Sequence, residues 1–196
     1  MQLVIEYKDG QVVIGEHNLD NPQLGGKKIE KIKLSPYAKI YDKANQAIIE
    51  ADFIILGPGD LYASLLANAC VKGFTEAINY SKAKFIYIEN LMTHYAQTHQ
   101  MTAKQHLQEV SRYCQRQPDI VIINNQEIDE KTIKEYAKNQ EYPVIDDLEK
   151  NKNLQIIKKH LLSNIRPVQH NSDVVPRSVL RHDIVKLAKT LYNLCK

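Results

Sequence analysis

The sequence predicts an α/β fold, with three layers around a mainly parallel sheet and an attached antiparallel hairpin. Three observations predict it. Short apolar runs such as Phe53–Leu56, Phe85–Glu89 and Asp119–Ile123 recur along the chain, each followed by a stretch with helical spacing. The first of these runs stops at Gly57-Pro58-Gly59, and an amphipathic stretch starts at Asp60, which reads as buried strand, tight turn and helix start. Asp9-Gly10, between the runs Leu3–Tyr7 and Val12–Gly15, is a two-residue hairpin signal.

The elements follow in order. Beyond the hairpin, Lys28–Leu34 alternates in part between lysine and apolar residues and is a strand with one solvated face. Ala44–Ala51 has helical spacing at Ala44, Ile48 and Ile49. Phe53–Leu56 is a buried strand, Leu61–Cys70 a helix, Phe74–Tyr80 a second short helix and Phe85–Glu89 a strand. Thr102 with Gln105 three residues on forms a capping box, opening a helix that runs to about Tyr113. Asp119–Ile123 is the next strand, Asp129–Lys138 a helix, and Pro143–Ile145 a short strand. Leu154–Lys158 is the last strand and Arg181–Leu194 the final helix, with Asp183 as a cap before Ile184, Leu187 and Leu191. Ser163–Ser178, poor in apolar residues and rich in turn formers, reads as a mobile piece. This alternation is Rossmann-like, and residues 1–196 form a single α/β domain.

Composition narrows the function classes. At 196 residues, with 43% hydrophobic and 25% charged residues, the chain has the makeup of a globular domain with a substantial core. A net charge of +3 does not point to nucleic acid, and the run Lys27, Lys28, Lys31, Lys33 is explained by a solvated strand face. No apolar run reaches membrane-spanning length and no signal peptide is evident. Cys70, Cys114 and Cys195 are far apart and outside any C-x-x-C spacing, which reads as reduced thiols in a cytoplasmic protein. His94, His99 and His106 lack zinc-ligand spacing and read as surface residues, so no metal site is assigned. No catalytic residue emerges from spacing alone.

In a parallel sheet, ligands are met by loops at the carboxyl ends of strands. Gly57 and Gly59 let the chain turn and let a ligand approach, and the helix start beyond them offers free N–H groups to a phosphate or carboxylate. Asp60 or Ser64 can cap that first turn. A plain turn joining strand to helix explains the same residues. Asn90 and Thr93 follow Phe85–Glu89, and Asn124 follows Asp119–Ile123. Their amides and hydroxyl suit a sugar or base, and equally a turn. Asp60 is the only acidic residue in these loops.

GPGDLYASLLANACVKGFTEAI, followed by SKAKFIYIENLMT, resembles the CofD/YvcK-like family, which reads close to GPGSLYTSxxPNLLVxGIxEAI and SKAKxxYVxNLMT. EYKDGQVVIGEHNL, DIVIINN, EYAKNQEYPVIDD and VLRHDIVKLAKTL resemble further blocks of that family in the same order, from about Val4 to Leu194. The resemblance implies that Tyr136 and Arg181, a ring face with a hydroxyl and a planar fork, contact a nucleotide-diphosphate sugar. It implies one cleft shared by Gly57–Ser64, Asn90, Thr93 and Arg181, and binding weakened by roughly 1.5–3 kcal/mol in Arg181→Ala. Where the family continues Gln-Pro-Gly-Glu-Thr this chain has His94-Tyr95-Ala96-Gln97-Thr98, and so lacks the glycine and the carboxylate on which a metal or catalytic role carried over for that loop would rest.

Family members usually begin with a strand and a GGGTG loop, which is absent here. The chain therefore reads as a carboxyl-terminal part, and the resemblance implies that it binds UDP-sugars weakly or not at all by itself and that an added amino-terminal segment restores binding. An open sheet edge predicts a homo-oligomer or pairing with an amino-terminal half. By resemblance the function is that of a UDP-sugar-binding regulator of carbon metabolism and cell-wall or cell-shape control. The alternatives are a magnesium-dependent transferase moving a phospholactyl group from a guanosine diphosphate-linked donor, and a partner-binding scaffold.

Overall fold

A computed structural model describes residues 1–150, 152–165 and 178–196, with Asp20 described by its backbone alone. The segment 166–177, within the stretch expected to be mobile, lies outside the described residues. Among the described residues seven strands form two sheets. The first is antiparallel, with β1 (Gln2–Tyr7) between β2 (Val12–Ile14) and β3 (Ile29–Ser35). The expected hairpin is therefore two strands of a three-stranded sheet. β3 alternates Ile29, Ile32 and lysines so that its apolar side pairs with the buried side of β1, Ile5 standing opposite Ile32.

The second sheet is wholly parallel, in the order β4 (Phe53–Leu56), β5 (Lys84–Ile88), β6 (Ile120–Asn124) and β7 (Gln155–Lys159). Period-two alternation divides its side chains between two cores. Phe85, Tyr87, Val121 and Ile123 join Leu61, Leu65, Leu66, Ile78, Leu107 and Val110 on one face. Ile86, Ile88, Ile120 and Ile122 face the other way, where Leu187, Leu191 and Leu194 of α6 (Ile184–Leu194) cover them. The layers run from α6 through the parallel sheet to α3 (Phe74–Tyr80) and α4 (Ala103–Cys114), and then to the antiparallel sheet. Tyr113 Oη accepts the N–H of Ile32 at 2.7 Å across that last boundary.

The remaining helices are α1 (Asp42–Glu50), α2 (Ala67–Ala69) and α5 (Glu130–Ala137). The capping box of α4 is present, with Gln105 N–H on Thr102 Oγ1 and Thr102 N–H on Gln105 Oε1. Asp183 caps α6 through the N–H of Lys186. Arg181 and His182 precede that helix rather than open it.

Two expectations need correcting. Leu61–Cys70 is not a uniform α-helix: Leu61–Leu66 is wound as a π-helix, with the N–H of Leu65 bonded to Asp60 O at 3.0 Å, before α2 continues. Pro143–Ile145 does not join the sheet. Pro143 forms an isolated bridge with Met92 and Val144 donates to Leu91 O, so the segment is held by the loop after β5 rather than by a strand of either sheet. The pair Gly25-Gly26 is structural, since a Cβ at Gly25 would fall 1.9 Å from the ring of Tyr95.

Candidate functional site

The parallel strands end together, at Leu56, Ile88, Asn124 and Lys159, so the loops after them share one edge of the sheet. Gly57 has φ of +96°, and a Cβ there would stand 2.9 Å from Ile88 O. The turn is left-handed and passes directly over the end of β5, so it demands glycine twice over. Gly57→Ala is expected to destabilise the fold by about 1–3 kcal/mol. Urea unfolding checks this, and an unchanged midpoint would reject the assignment.

Gly59 packs against Leu65, and Asp60 stands at the N-cap position without a side-chain capping bond. The cap expected from Asp60 or Ser64 comes from elsewhere. Gln97 Oε1 accepts the N–H of Ala63 at 3.2 Å, while Asp60 O accepts from Ser64 and Leu65. Gln97 is buried and occupies the position of the family's glutamate in Gln-Pro-Gly-Glu-Thr. It ties the Gly57 loop to the Asn90 loop, a link no local pattern announces, because capping residues are sought next to the helix they cap.

In the second loop, buried Thr93 donates its N–H to Tyr142 O at 2.7 Å and accepts Tyr142 N–H on Oγ1 at 3.1 Å. It clips the 142–145 segment onto the loop. Asn90 donates its N–H to Glu89 Oε1, and its Oδ1 is buried without a partner among the described residues. In the third, Asn124 closes its own turn, donating to Gln126 O and accepting from Gln126 and Leu161 N–H. Tyr136, nearly buried, hydrogen-bonds Ser178 and accepts the N–H of Leu180, and the exposed Arg181 donates to Ser178 O. Tyr136 and Arg181 therefore meet around Ser178.

A cavity of about 280 Å³ lies between the ends of β5 and β6. Glu89, Asn90, Asn124, Asn125, Ile133 and Pro143 are among the residues lining it. Of the residues expected to bind ligand, Asn90 and Asn124 line this cavity; Gly57, Gly59, Asp60, Ser64, Thr93, Tyr136 and Arg181 do not.

The cavity also holds a residue that sequence reasoning left inside a strand. β5 ends at Ile88, and Glu89 begins the loop. It is 1% exposed; Tyr87 Oη and Asn90 N–H both donate to its Oε1, and its Oε2 has no partner among the described residues. Burial pushes its carboxyl up to about 8, with Asp146 and Asp147 adding to the rise and its two hydrogen bonds opposing it. Asp60 is thus not the only acidic group at this edge. The available signal was a lone glutamate closing an apolar strand immediately before a loop asparagine.

His106, expected at the surface, is wholly buried on the inner face of α4 beside Ala103, Leu107 and Val110. Its Nδ1 lies 3.0 Å from Thr102 O and 3.9 Å from Glu89 Oε1, and its Nε2 is unpartnered among the described residues. Burial lowers its pKa, so the ring is neutral and carries its proton on Nδ1, facing Thr102 O. His182 is likewise pushed down to about 4 by burial. Among the described residues no three His, Cys, Asp or Glu side chains converge as metal ligands, and no helix is long and apolar enough to cross a membrane.

The sequence profile of the family described as 2-phospho-L-lactate transferase CofD matches residues 1–162. A gluconeogenesis factor from Halalkalibacterium halodurans is 35% identical over 89% of this chain and 55% of its own length. One from Bacillus subtilis is 32% identical over 97% of this chain and 57% of its own. A crystal structure of a protein of the UPF0052 family from Bacillus halodurans superposes with a TM-score of 0.83 at 33% identity, covering 97% of this chain and 58% of that one. The chain spans 55–58% of the length of these three relatives.

Proposed function

The chain belongs to the CofD family, and on that footing we propose that it is a cytoplasmic regulatory protein of the gluconeogenesis-factor kind that binds UDP-linked sugars and acts in carbon metabolism and cell-shape control. The observation that carries this reading is the likeness to proteins described as gluconeogenesis factors, 32–35% identical over 89–97% of the chain. The cavity at the carboxyl edge of the sheet supports it. Its amide and carboxyl groups suit the hydrogen-bonding edge of a base, and exposed Arg181, whose carbonyl accepts the N–H of Ser163 a few residues past the end of β7, is available to a diphosphate.

The family's own description favours a second reading, transfer of a phospholactyl group. That chemistry calls for magnesium near the diphosphate. Among the described residues no three His, Cys, Asp or Glu side chains converge as ligands, so magnesium would have to be held by one or two carboxylates together with the diphosphate oxygens themselves. A third reading is a scaffold for another chain: Ile55 on the outer strand β4 is 43% exposed, an open edge suited to pairing with a second copy or with the remainder of a longer protein.

Thermal shift and calorimetry with UDP-, GDP- and ADP-linked sugars test the proposal. A UDP-selective rise in stability is expected, slight for this chain alone and saturable once the amino-terminal segment of a relative is supplied, and reduced in Arg181→Ala by about 1.5–3 kcal/mol of binding free energy. Magnesium-dependent consumption of a GDP-linked donor would establish the transferase instead. Equal affinity in Arg181→Ala would remove that arginine from the site.

A further inference from the structure

Two buried polar atoms at the cavity are left without partners: Oε2 of Glu89 and Oδ1 of Asn90. A buried polar group with no hydrogen bond is costly, and neighbouring residues that share both the defect and a cavity point to a ligand that completes them. The other Glu89 oxygen is already satisfied by two donors, Tyr87 Oη at 3.1 Å and Asn90 N–H at 2.9 Å. An oxygen that accepts twice is the carbonyl-like one, so any proton resides on Oε2. The charged or titratable groups around Glu89 favour this state. Tyr87 on β5 is a neutral donor, His106 on α4 turns its N–H to Thr102, Asp146 (ion-paired with Lys158) and Asp147 add to the rise of the Glu89 carboxyl, and Glu127 is a further acidic residue lining the cavity.

We propose that Glu89, as a neutral carboxylic acid donating from Oε2, and Asn90, accepting on Oδ1, form the pair that reads the imide edge of a uracil in this cavity. One donor and one acceptor on adjacent residues lining one cavity match a ring carbonyl and its adjacent N–H, an edge that uracil and guanine both present, and uracil is taken from the UDP-sugar reading above. The inference rests on the nucleotide-binding reading above and names the part of the ligand that the cavity takes. It also assigns Glu89 a role opposite to the usual one for an acidic residue, since the group donates a proton in a hydrogen bond and neither ligates a metal nor pairs with a cation.

The roles of acid and carboxylate separate cleanly on substitution. Glu89→Gln keeps an acceptor for Tyr87 and Asn90 and places an N–H donor where Oε2–H stood. Calorimetry with UDP-glucose is expected to show Glu89→Gln binding within about threefold of the unmodified chain near neutral pH, and Glu89→Ala and Asn90→Ala about tenfold weaker or more. The unmodified chain is expected to lose roughly tenfold in affinity between about pH 7 and pH 9 as Glu89 ionises, whereas Glu89→Gln keeps its affinity. That comparison also separates the carboxyl from titration of the base itself.

Glu89→Gln binding as weakly as Glu89→Ala would overturn the proposal, because the group would then be acting as a carboxylate. Unaltered binding by a folded Glu89→Ala would also overturn it. A chain that binds CDP- or GDP-linked sugars with the same Gln-against-Ala pattern would overturn the uracil assignment and leave nucleotide binding standing. A chain that binds no nucleotide sugar even with the amino-terminal segment of a relative supplied would overturn both readings.

Discussion

Arg116→Ala is expected to be among the most destabilising single substitutions in this chain, costing about 3 kcal/mol and lowering Tm by roughly 6–12 °C. The side chain, only 20% exposed, donates to Ile78 O, Ser81 O, Ala83 O and Asp119 Oδ2 at 2.6–3.2 Å. Ile78 O lies in the last turn of α3 and Ser81 O just beyond it, where carbonyls have no partner further along the helix. Ala83 O lies at the entrance to β5, and Asp119 Oδ2 also accepts the N–H of Phe85. One guanidinium thus joins a helix end to two adjacent strands of the sheet that carries the site. Removing it leaves several part-buried acceptors without donors. Arg116→Lys should recover only part of the loss, because a single ammonium cannot reach the same spread of carbonyls. Thermal unfolding checks both variants; a change in Tm below about 2 °C for Arg116→Ala would show that water replaces these bonds freely.

Glu89→Gln is expected to stabilise the protein on the alkaline side and change it little in acid. The carboxyl is raised from 4.5 to about 8, so the folded state holds a proton that the unfolded chain releases. Stability from this group is complete below about pH 4.5 and falls as pH rises through about 8, reaching a loss on the order of 5 kcal/mol at most. Glutamine does not titrate, so its Tm advantage should widen from near zero at about pH 4.5 to several degrees near pH 9. His106 and His182 act in the opposite sense. Both are lowered by burial, so stability is lost as pH falls below about 6.5, down to about 4 for His182. An alkaline Tm unchanged by Glu89→Gln would show that the carboxyl is hydrated rather than buried.

Much of the fold was legible because its signals are local. The apolar runs at Phe53, Phe85 and Ile120, the Asp9-Gly10 turn, the Thr102–Gln105 box and the Asp183 cap each depend on residues within a few positions of one another, and the backbone responds to them directly. Pro143–Ile145 misled because β propensity says nothing about whether a sheet edge is free, and Leu61–Leu66 because periodicity does not separate a π-helix from an α-helix. The third strand of the antiparallel sheet was recognisable as a strand, but its partner lay more than twenty residues away.

The sequence by itself determined the fold class, the carboxyl-edge location of the loops and the family. Spacing and composition act over short distances, and family motifs are strings of neighbouring residues. Only the tertiary structure decided which side chains at that edge are already satisfied. Thr93, Asn124 and Tyr136 are held in bonds within the fold, Gln97 caps a helix from another loop, and Glu89 and Asn90 retain unpartnered oxygens at a cavity. Whether a polar group is satisfied depends on atoms brought close by packing from distant parts of the chain, and desolvation, which turns Glu89 from a carboxylate into an acid, exists only once the protein has folded around it.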